Sequence, residues 1–339
     1  MSEKTFDPYE KERRLRKDSD RWITGNAVDA QDGDIPILDL SEYLISGSES
    51  CLNSLASELR YACEKVGFFS IVGHQLPTEL VDQTFEMVRR FHSLPLHEKR
   101  SLLMDRPDWP VGGVGYLPLK NKKLPARNTG NLNEAFLIKC DHKISLDQNL
   151  WPDEGQLPSF RSVITRYAAE LEQLSKRMLP IFSTALEMPE DFFNDAFEAP
   201  MYRLRMTHYP PAQKQENDNA YGIAPHVDTT FFTLLAQDQP GLTIYSEQKQ
   251  QWLNAPLIEG AFIVNSGELL RQWSNDRFLS TKHFANNNRS GQSRYSIPFF
   301  LNANTDYVMS CIPSCCGPEN PAKYPPISYS QSQAVAQGE

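Results

Sequence analysis

The sequence predicts a mainly β fold with flanking helices. Between residues 200 and 310, short segments rich in β-branched and aromatic residues alternate with turn signals, a pattern typical of a β-sandwich or β-barrel. Ahead of that region, apolar residues recur at helical spacing, most extensively from Ser159 to Leu186. A chain of 339 residues with 40% hydrophobic content can bury a full core around such a sheet.

The composition argues against several kinds of partner. A net charge of −9 disfavours a surface for nucleic acid or anionic membrane. The chain has no run of about 18 apolar residues, which predicts no transmembrane helix, and its first residues lack the apolar region of a secretory signal. The six cysteines stand at irregular positions, which predicts reduced thiols in a cytoplasmic protein.

The part of the chain before residue 200 divides into three predicted regions. Residues 1–33 are polar and charged and predict a solvated arm. Residues 34–145 predict an α/β region, in which the apolar segments IPILDL and GFFSIVGH are strands and two amphipathic patterns are helices. Residues 146–200 contain a long backing helix, which Pro180 is expected to kink or end because it removes a backbone hydrogen bond.

His226, Asp228 and His283 are the candidate metal ligands. If the segment VDTTFFTLL is a strand, His226 and Asp228 point the same way, because side chains alternate along a strand. His283 would then arrive from a later strand. Two imidazoles and one carboxylate on one side of a metal suit Fe(II) in oxygen-activating enzymes. Zinc also accepts this ligand set, although the HExxH helix that usually supplies it is absent.

Arg294 and Ser296 form a candidate anion site. They share one face of a predicted strand, and arginine grips a carboxylate with a planar fork while serine adds a hydroxyl donor. The apolar segment that follows predicts a buried strand, so Arg294 needs an anionic partner. An internal salt bridge with a glutamate is the structural alternative.

Two further strand positions carry candidate ligand contacts. In MYRLRMTHYPP, Thr207 and Tyr209 share a strand face, and a buried tyrosine with a satisfied hydroxyl is the alternative for Tyr209. Period-two alternation from Ser296 brings Phe300 deeper along the same face. There Phe300 would serve either as a platform for substrate or as core packing.

The block HVD…NSGELLRQWSNDRF.STKH…RYSIPFF resembles the Fe(II)/2-oxoglutarate-dependent dioxygenases of the isopenicillin N synthase-like type. The resemblance extends from about IPILDL to PENPAKYPP. It implies a double-stranded β-helix (jelly roll) core, which we assign to residues 201–318, with the α/β region packing on it. Residues 319–339 are then a C-terminal tail.

The resemblance also implies roles for individual residues. His226, Asp228 and His283 would bind Fe(II), with no catalytic residue beyond the metal centre. The expected 2-oxoglutarate ligands are Arg294, Ser296, Tyr209 and Thr207, and the expected substrate contacts are Phe300 and Tyr116. Thr207 departs from the asparagine common in the family, and Glu268 replaces the aspartate of its Asn-x-Gly-Asp segment, which here begins at Asn265.

The expected function is that of an oxidoreductase. It would use O2 and 2-oxoglutarate to oxidise a C–H bond of a small organic substrate of secondary metabolism by hydroxylation, desaturation or ring formation, releasing succinate and CO2. One alternative is an oxidase like isopenicillin N synthase, which uses O2 without 2-oxoglutarate. The other is a non-catalytic jelly-roll binding module.

Overall fold

The computed structural model describes residues 27–119, 131–212 and 221–331. Most of the predicted arm and the last eight residues lie outside this range. The described helices are α1 (Ser41–Ser46), α2 (Glu49–Lys65), α3 (Thr78–Ser93), α4 (Leu96–Arg100), α5 (Phe160–Ala185) and α6 (Glu268–Trp273).

The strands follow the expected mainly β plan. They are β1 (Val28–Asp29), β2 (Ile37–Asp39), β3 (Phe68–Val72), β4 (Gly115–Leu117), β5 (Glu134–Cys140), β6 (Met201–Tyr209), β7 (Ile223–His226), β8 (Phe232–Gln237), β9 (Leu242–Ser246), β10 (Gln251–Asn254), β11 (Phe262–Ser266), β12 (His283–Ala285), β13 (Arg294–Asn302), β14 (Val308–Met309) and β15 (Ile327–Ser328).

Two sheets form the core of the molecule. The large sheet has eight strands in the order β2-β3-β11-β8-β13-β6-β5-β4, and the small sheet has five in the order β1-β10-β9-β12-β7. Apolar residues of both sheets, among them Phe68, Ile263, Leu242 and Ile244, pack together. This contact joins the two sheets into a β-sandwich.

The predicted N-terminal α/β region extends the large sheet at both edges. Strand β3 pairs antiparallel with β11, and β2 pairs parallel with β3. At the other edge, β5 pairs antiparallel with β6 over seven residue pairs, and β4 follows. The region therefore contributes four strands to the same sheet as the core.

The end of the predicted arm joins the small sheet. Val28 and Asp29 pair in parallel with Leu253 and Asn254 of β10. Side chains strengthen this edge, because Asn254 donates to the carboxylate of Asp29 over 3.0 Å. These last residues of the arm are part of the fold.

Helices α2, α3 and α5 cover the outer face of the large sheet. The main hydrophobic core lies between these helices and outward-facing strand residues such as Leu204, Ile297 and Phe299. Helix α5 runs through Pro180 to Ala185, so the proline does not end it as expected. Ile181 and Phe182 are fully buried directly after the proline, and this packing offsets the missing backbone hydrogen bond.

An aromatic stack fixes α5 against the sheet. The rings of Phe182 and Phe232 lie 5.1 Å apart at an angle of 9°. Phe231 and Trp273 extend the cluster through further ring contacts. The cluster joins α5 to the start of β8, directly after the segment that carries Asp228.

None of the described helices is long and apolar enough to cross a membrane. All six cysteines are free thiols.

Replacing Phe182 by alanine should destabilise the fold strongly. The side chain is fully buried and its loss leaves a cavity between helix and sheet, so we expect a cost of about 3–5 kcal/mol in the free energy of unfolding. Urea denaturation of the iron-free protein measures it. Ile45→Ala, at a side chain that is 79% exposed, is the matched control and should change stability by less than about 0.5 kcal/mol. Equal effects of the two variants would contradict this account of the core.

Candidate active site

The side chains of His226, Asp228 and His283 converge between the two sheets. One ligand atom from each lies within 4.8 Å of the others. Oδ1 of Asp228 is 3.6 Å from Nε2 of His226 and 3.7 Å from Nε2 of His283. Three ligand atoms at these distances can coordinate one metal ion.

Strand pairing brings the two histidines together. His226 ends β7, His283 begins β12, and the two residues are direct cross-strand partners. Each ring donates its Nδ1–H to a backbone carbonyl, that of Ala224 at 2.9 Å and that of Thr281 at 3.1 Å. These bonds assign the proton to Nδ1, so each Nε2 offers its lone pair to a metal.

The sequence predicts that Asp228 lies on the same strand as His226, but this prediction is wrong. Strand β7 ends at His226 and β8 begins at Phe232, because the chain crosses here from the small sheet to the large one. The backbone N–H of Glu268 donates to the carbonyl of Asp228 over 2.8 Å and fixes this crossing. The carboxylate still reaches the imidazoles, but from a connection.

The two oxygens of the Asp228 carboxylate have different surroundings. Oδ2 accepts from Thr233 at 2.7 Å and from Asn265 at 2.9 Å, while Oδ1 faces the imidazoles. Burial by itself raises the pKa of Asp228, but the neighbouring imidazoles and the Asn265 bond lower it more, so the pKa lies below its usual range. Asn265 therefore supports the candidate metal ligand Asp228 from the large sheet.

His283 is neutral at pH 7. Burial lowers its pKa to about 4, and the nearby His226 acts in the same direction. The ligand set thus combines an ionised carboxylate with an imidazole that is already deprotonated. A divalent cation can bind there without displacing a proton from His283.

A cavity between the sheets contains the candidate ligands. Strand β13 contributes alternate residues to it, as period two predicts, and β6 contributes Arg205 and Tyr209. The described lining residues are Phe68, Arg205, Tyr209, Ile223, His226, Asp228, Thr233, Leu235, Leu242, Asn265, His283, Ala285, Arg294, Ser296, Pro298 and Phe300. The predicted metal ligands and Arg294, Ser296, Tyr209 and Phe300 therefore share one cavity.

Arg294 is buried without a carboxylate partner among the described residues. It is 4% exposed, and its hydrogen bonds go to the carbonyl of Gln239 at 3.0 Å and to Oε1 of Gln237 at 2.8 Å. Its guanidinium lies 4.6 Å from the ring centre of Tyr209, a cation–π contact. The internal salt bridge considered above does not form within the described structure, so the positive charge remains available to a ligand.

Ser296 lies between two neighbouring strands at the same level. Its partners in register are Thr207 of β6 and Gln237 of β8, and its hydroxyl is 3.4 Å from that of Tyr209. Thr207 is fully buried and is not among the described residues that line the cavity. Of the four expected 2-oxoglutarate contacts, it is the one set back from the cavity surface.

Tyr116 is not in a position to contact substrate. It lies on β4 at the edge of the large sheet, 1% exposed, and its hydroxyl donates to Glu134 at 2.5 Å. The family resemblance implies that it contacts substrate, whereas its ring packs in the core behind the sheet, near Phe91. The interpretation of Tyr116 as a substrate contact is corrected accordingly.

A second group of metal-type ligands lies on the outer face of the large sheet. His92, Glu134 and His208 bring their ligand atoms within 4.8 Å of one another. However, Nζ of Lys99 lies 2.9 and 3.0 Å from the two oxygens of Glu134. The ammonium already occupies the place of a cation, so this cluster is a buried ion pair within the core.

Two family models match this chain. Residues 35–154 match the family described as non-haem dioxygenase in morphine synthesis N-terminal, and residues 200–303 match the 2OG-Fe(II) oxygenase superfamily. The 2-oxoglutarate-Fe(II) type oxidoreductase hxnY of Emericella nidulans is 34% identical over 86% of each chain. The chain belongs to the 2-oxoglutarate–Fe(II) oxygenase superfamily.

Further relatives agree with this assignment. The 2-oxoglutarate-dependent dioxygenase tropC of Talaromyces stipitatus is 30% identical over 80% of this chain and 86% of its own. The crystal structure of a full-length Neurospora crassa protein in complex with alpha-KG superposes with a TM-score of 0.81, at 22% identity, over 93% of this chain and 99% of the other. That likeness establishes the jelly-roll fold.

The cofactors of this oxygenase are Fe(II) and 2-oxoglutarate, and the cavity fits both. The triad supplies two nitrogen donors and one oxygen donor from one side, the set that suits Fe(II). Buried Arg294 supplies a positive charge that no described carboxylate neutralises, as a dicarboxylate requires.

Sequence reasoning missed several residues that shape this cavity. A Cβ on Gly241 would lie 2.7 Å from Nε of Arg294, and one on Gly222 would lie 2.7 Å from the ring of Tyr209. Both glycines therefore leave room for side chains that face the cavity. Arg205 also faces the cavity, from the same strand as Tyr209. The sequence shows a cation at that position, but only the structure shows that it has no hydrogen bond to a described carboxylate.

Asp228→Ala should lose iron while remaining folded. The remaining two imidazoles make a poor Fe(II) site. Thr233 and Asn265 each lose a hydrogen bond to Asp228, which should lower the free energy of unfolding by about 1–3 kcal/mol at most. After anaerobic reconstitution and desalting, the iron content should be far below one per chain. The melting temperature of the metal-free protein tests the fold, and full iron retention would contradict the ligand assignment.

Asn265→Ala should weaken the same site by a smaller step. The amide holds Oδ2 of Asp228 over 2.9 Å, and losing such an orienting bond typically lowers metal affinity by about 10–100-fold. Competition with a chelator measures the change. Asn254→Ala, on β10 of the small sheet, is the control and should bind iron like the wild type.

Proposed function

We propose that the cavity is the active site of an oxygenase that oxidises a C–H bond of a small organic molecule of secondary metabolism. In this proposal His226, Asp228 and His283 hold Fe(II). Arg294 and Ser296, assisted by Tyr209, hold the distal carboxylate of 2-oxoglutarate. The observation that carries the proposal is a complete triad facing the same cavity as a buried arginine that has no described carboxylate partner.

The protein residues supply geometry and an environment that excludes water. Hydrogen bonds from the Nδ1 atoms and to Oδ2 of Asp228 fix the ligands, so little reorganisation is needed when the metal binds. Fe(II) with 2-oxoglutarate and O2 supplies the oxidising power, and succinate and CO2 are the co-products. Apolar walls from Leu235, Leu242 and Phe300 keep the reacting region dry.

Among the described residues of β13, Phe300 is the aromatic one whose side chain lines the cavity. It lies four residues beyond Ser296. Its neighbours in the strand, Phe299 and Leu301, point into the main core instead. This division favours the substrate-platform interpretation of Phe300 over core packing. The ring would pack against the body of the substrate.

Arg294→Gln should raise the 2-oxoglutarate requirement steeply. Removing one member of a buried ion pair costs about 3–5 kcal/mol, because the other charge is left unpaired. That is roughly two to three and a half decades in the dissociation constant of 2-oxoglutarate. Lysine should restore part of the affinity, since it keeps the charge without the fork. Anaerobic titration, followed by the metal-to-ligand charge-transfer band, measures this constant.

Arg166→Gln is the matched control, because Arg166 is exposed on α5 and is not among the described residues that line the cavity. It should leave the titration unchanged. A band that forms with unaltered affinity in Arg294→Gln would place the cosubstrate elsewhere. If the wild type forms no band, yet consumes O2 with substrate alone, the chain is an oxidase that does not use 2-oxoglutarate. No iron uptake at all would favour the binding-module alternative.

A further inference from the structure

Arg205 faces the cavity from β6, and the proposed function gives it no role. It lines the same space as Asp228 and Phe300, two residues along the strand from Thr207. Burial lowers the pKa of its guanidinium, while the nearby Tyr209 and Asp228 act to raise it. The cation therefore faces the space in which a ligand would bind.

The partners of Arg205 are few. Its one hydrogen bond among the described residues runs from Nη2 to Oδ1 of Asn133 over 2.8 Å, and its Nε is buried without a partner. A guanidinium carries five N–H donors, so most of them have no acceptor within the described structure. Asn133 in turn donates to the carbonyl of Gly222 over 2.7 Å, which fixes the orientation of the amide. Asn133 is thus a neutral support that positions the guanidinium without cancelling its charge.

The charges of the loaded cavity leave Arg205 uncompensated. A bound Fe(II) ion and the Asp228 carboxylate leave one net positive charge, and Arg294 adds a second. The two negative charges of 2-oxoglutarate balance those two. The charge of Arg205 is then left over in a space with apolar walls, where an unpaired ion is costly.

We propose that Arg205 binds a carboxylate of the prime substrate and that Asn133 holds the guanidinium in place for it. This inference rests on the proposed function of the cavity. It gives the substrate a chemical class, namely a small carboxylic acid whose apolar body packs against residues such as Leu235 and Phe300. The arginine fork and the carboxylate match in a two-bond geometry, which fixes the orientation of the body relative to the triad.

The test uses the full chain in its zinc form, so that binding is measured without turnover. Phenylacetate, 3-phenylpropionate and octanoate are each compared with their primary amides by isothermal titration calorimetry. A charge-assisted bond predicts that an acid binds about 10–100-fold more tightly than its amide. Arg205→Gln should remove this preference by weakening the acid and leaving the amide within about twofold. Arg205→Lys should retain part of it.

Arg203→Gln is the matched control, since Arg203 lies two residues away on β6 and is not among the described lining residues. It should keep the wild-type acid preference. Absence of a preference in all three pairs, or a preference that survives Arg205→Gln, overturns the proposal. A loss of 2-oxoglutarate affinity in Arg205→Gln as large as that in Arg294→Gln also overturns it, because Arg205 would then belong to the cosubstrate site. If the wild type binds no 2-oxoglutarate, the proposed function fails separately, and the acid preference is still scored in the zinc form.

Discussion

The active site depends on one buried carboxylate that connects two sheets. Asp228 is 8% exposed and belongs to the segment that crosses from the small sheet to the large one. Its Oδ2 is held by Thr233 and Asn265 of the large sheet, and its Oδ1 faces His226 and His283 of the small sheet. A buried ionised carboxylate is stable only when its oxygens have partners. The hydrogen bonds satisfy one oxygen, and the site is built so that a cation between the imidazoles can satisfy the other.

The same reasoning explains why the cavity contains more positive charge than its own side chains neutralise. Arg294 is stabilised by the carbonyl of Gln239, the amide of Gln237 and the face of Tyr209, none of which removes its charge. Among the described residues, Arg205 hydrogen-bonds only to the amide of Asn133. An unpaired buried cation destabilises the free protein, and a bound anion removes this penalty. The cavity therefore favours anionic ligands over neutral ones.

Strand β13 separates the chemistry from the core because its side chains alternate. Arg294, Ser296, Pro298 and Phe300 line the cavity, while Tyr295, Ile297, Phe299 and Leu301 pack into the main core. On that outer face the ring of Tyr295 stacks on His208 at 4.8 Å, and His208 bonds to Glu134 in the Lys99 ion pair. The cavity wall is therefore backed by a fixed polar cluster, and α5 closes the rest of this face through Phe182.

The sequence by itself determined the kinds of residue and their local faces. The spacing of His226, Asp228 and His283 indicated a facial metal site, and alternation alone placed Arg294, Ser296 and Phe300 on one face, because a nine-residue strand has a fixed period. Only the tertiary structure decided where other residues point. Asp228 lies in a crossing between sheets, and Tyr116 turns its hydroxyl to Glu134 rather than to substrate. Arg205 makes no hydrogen bond to a described carboxylate. These outcomes depend on which distant segments pack together, and the charge balance and burial of a side chain are properties of that packing.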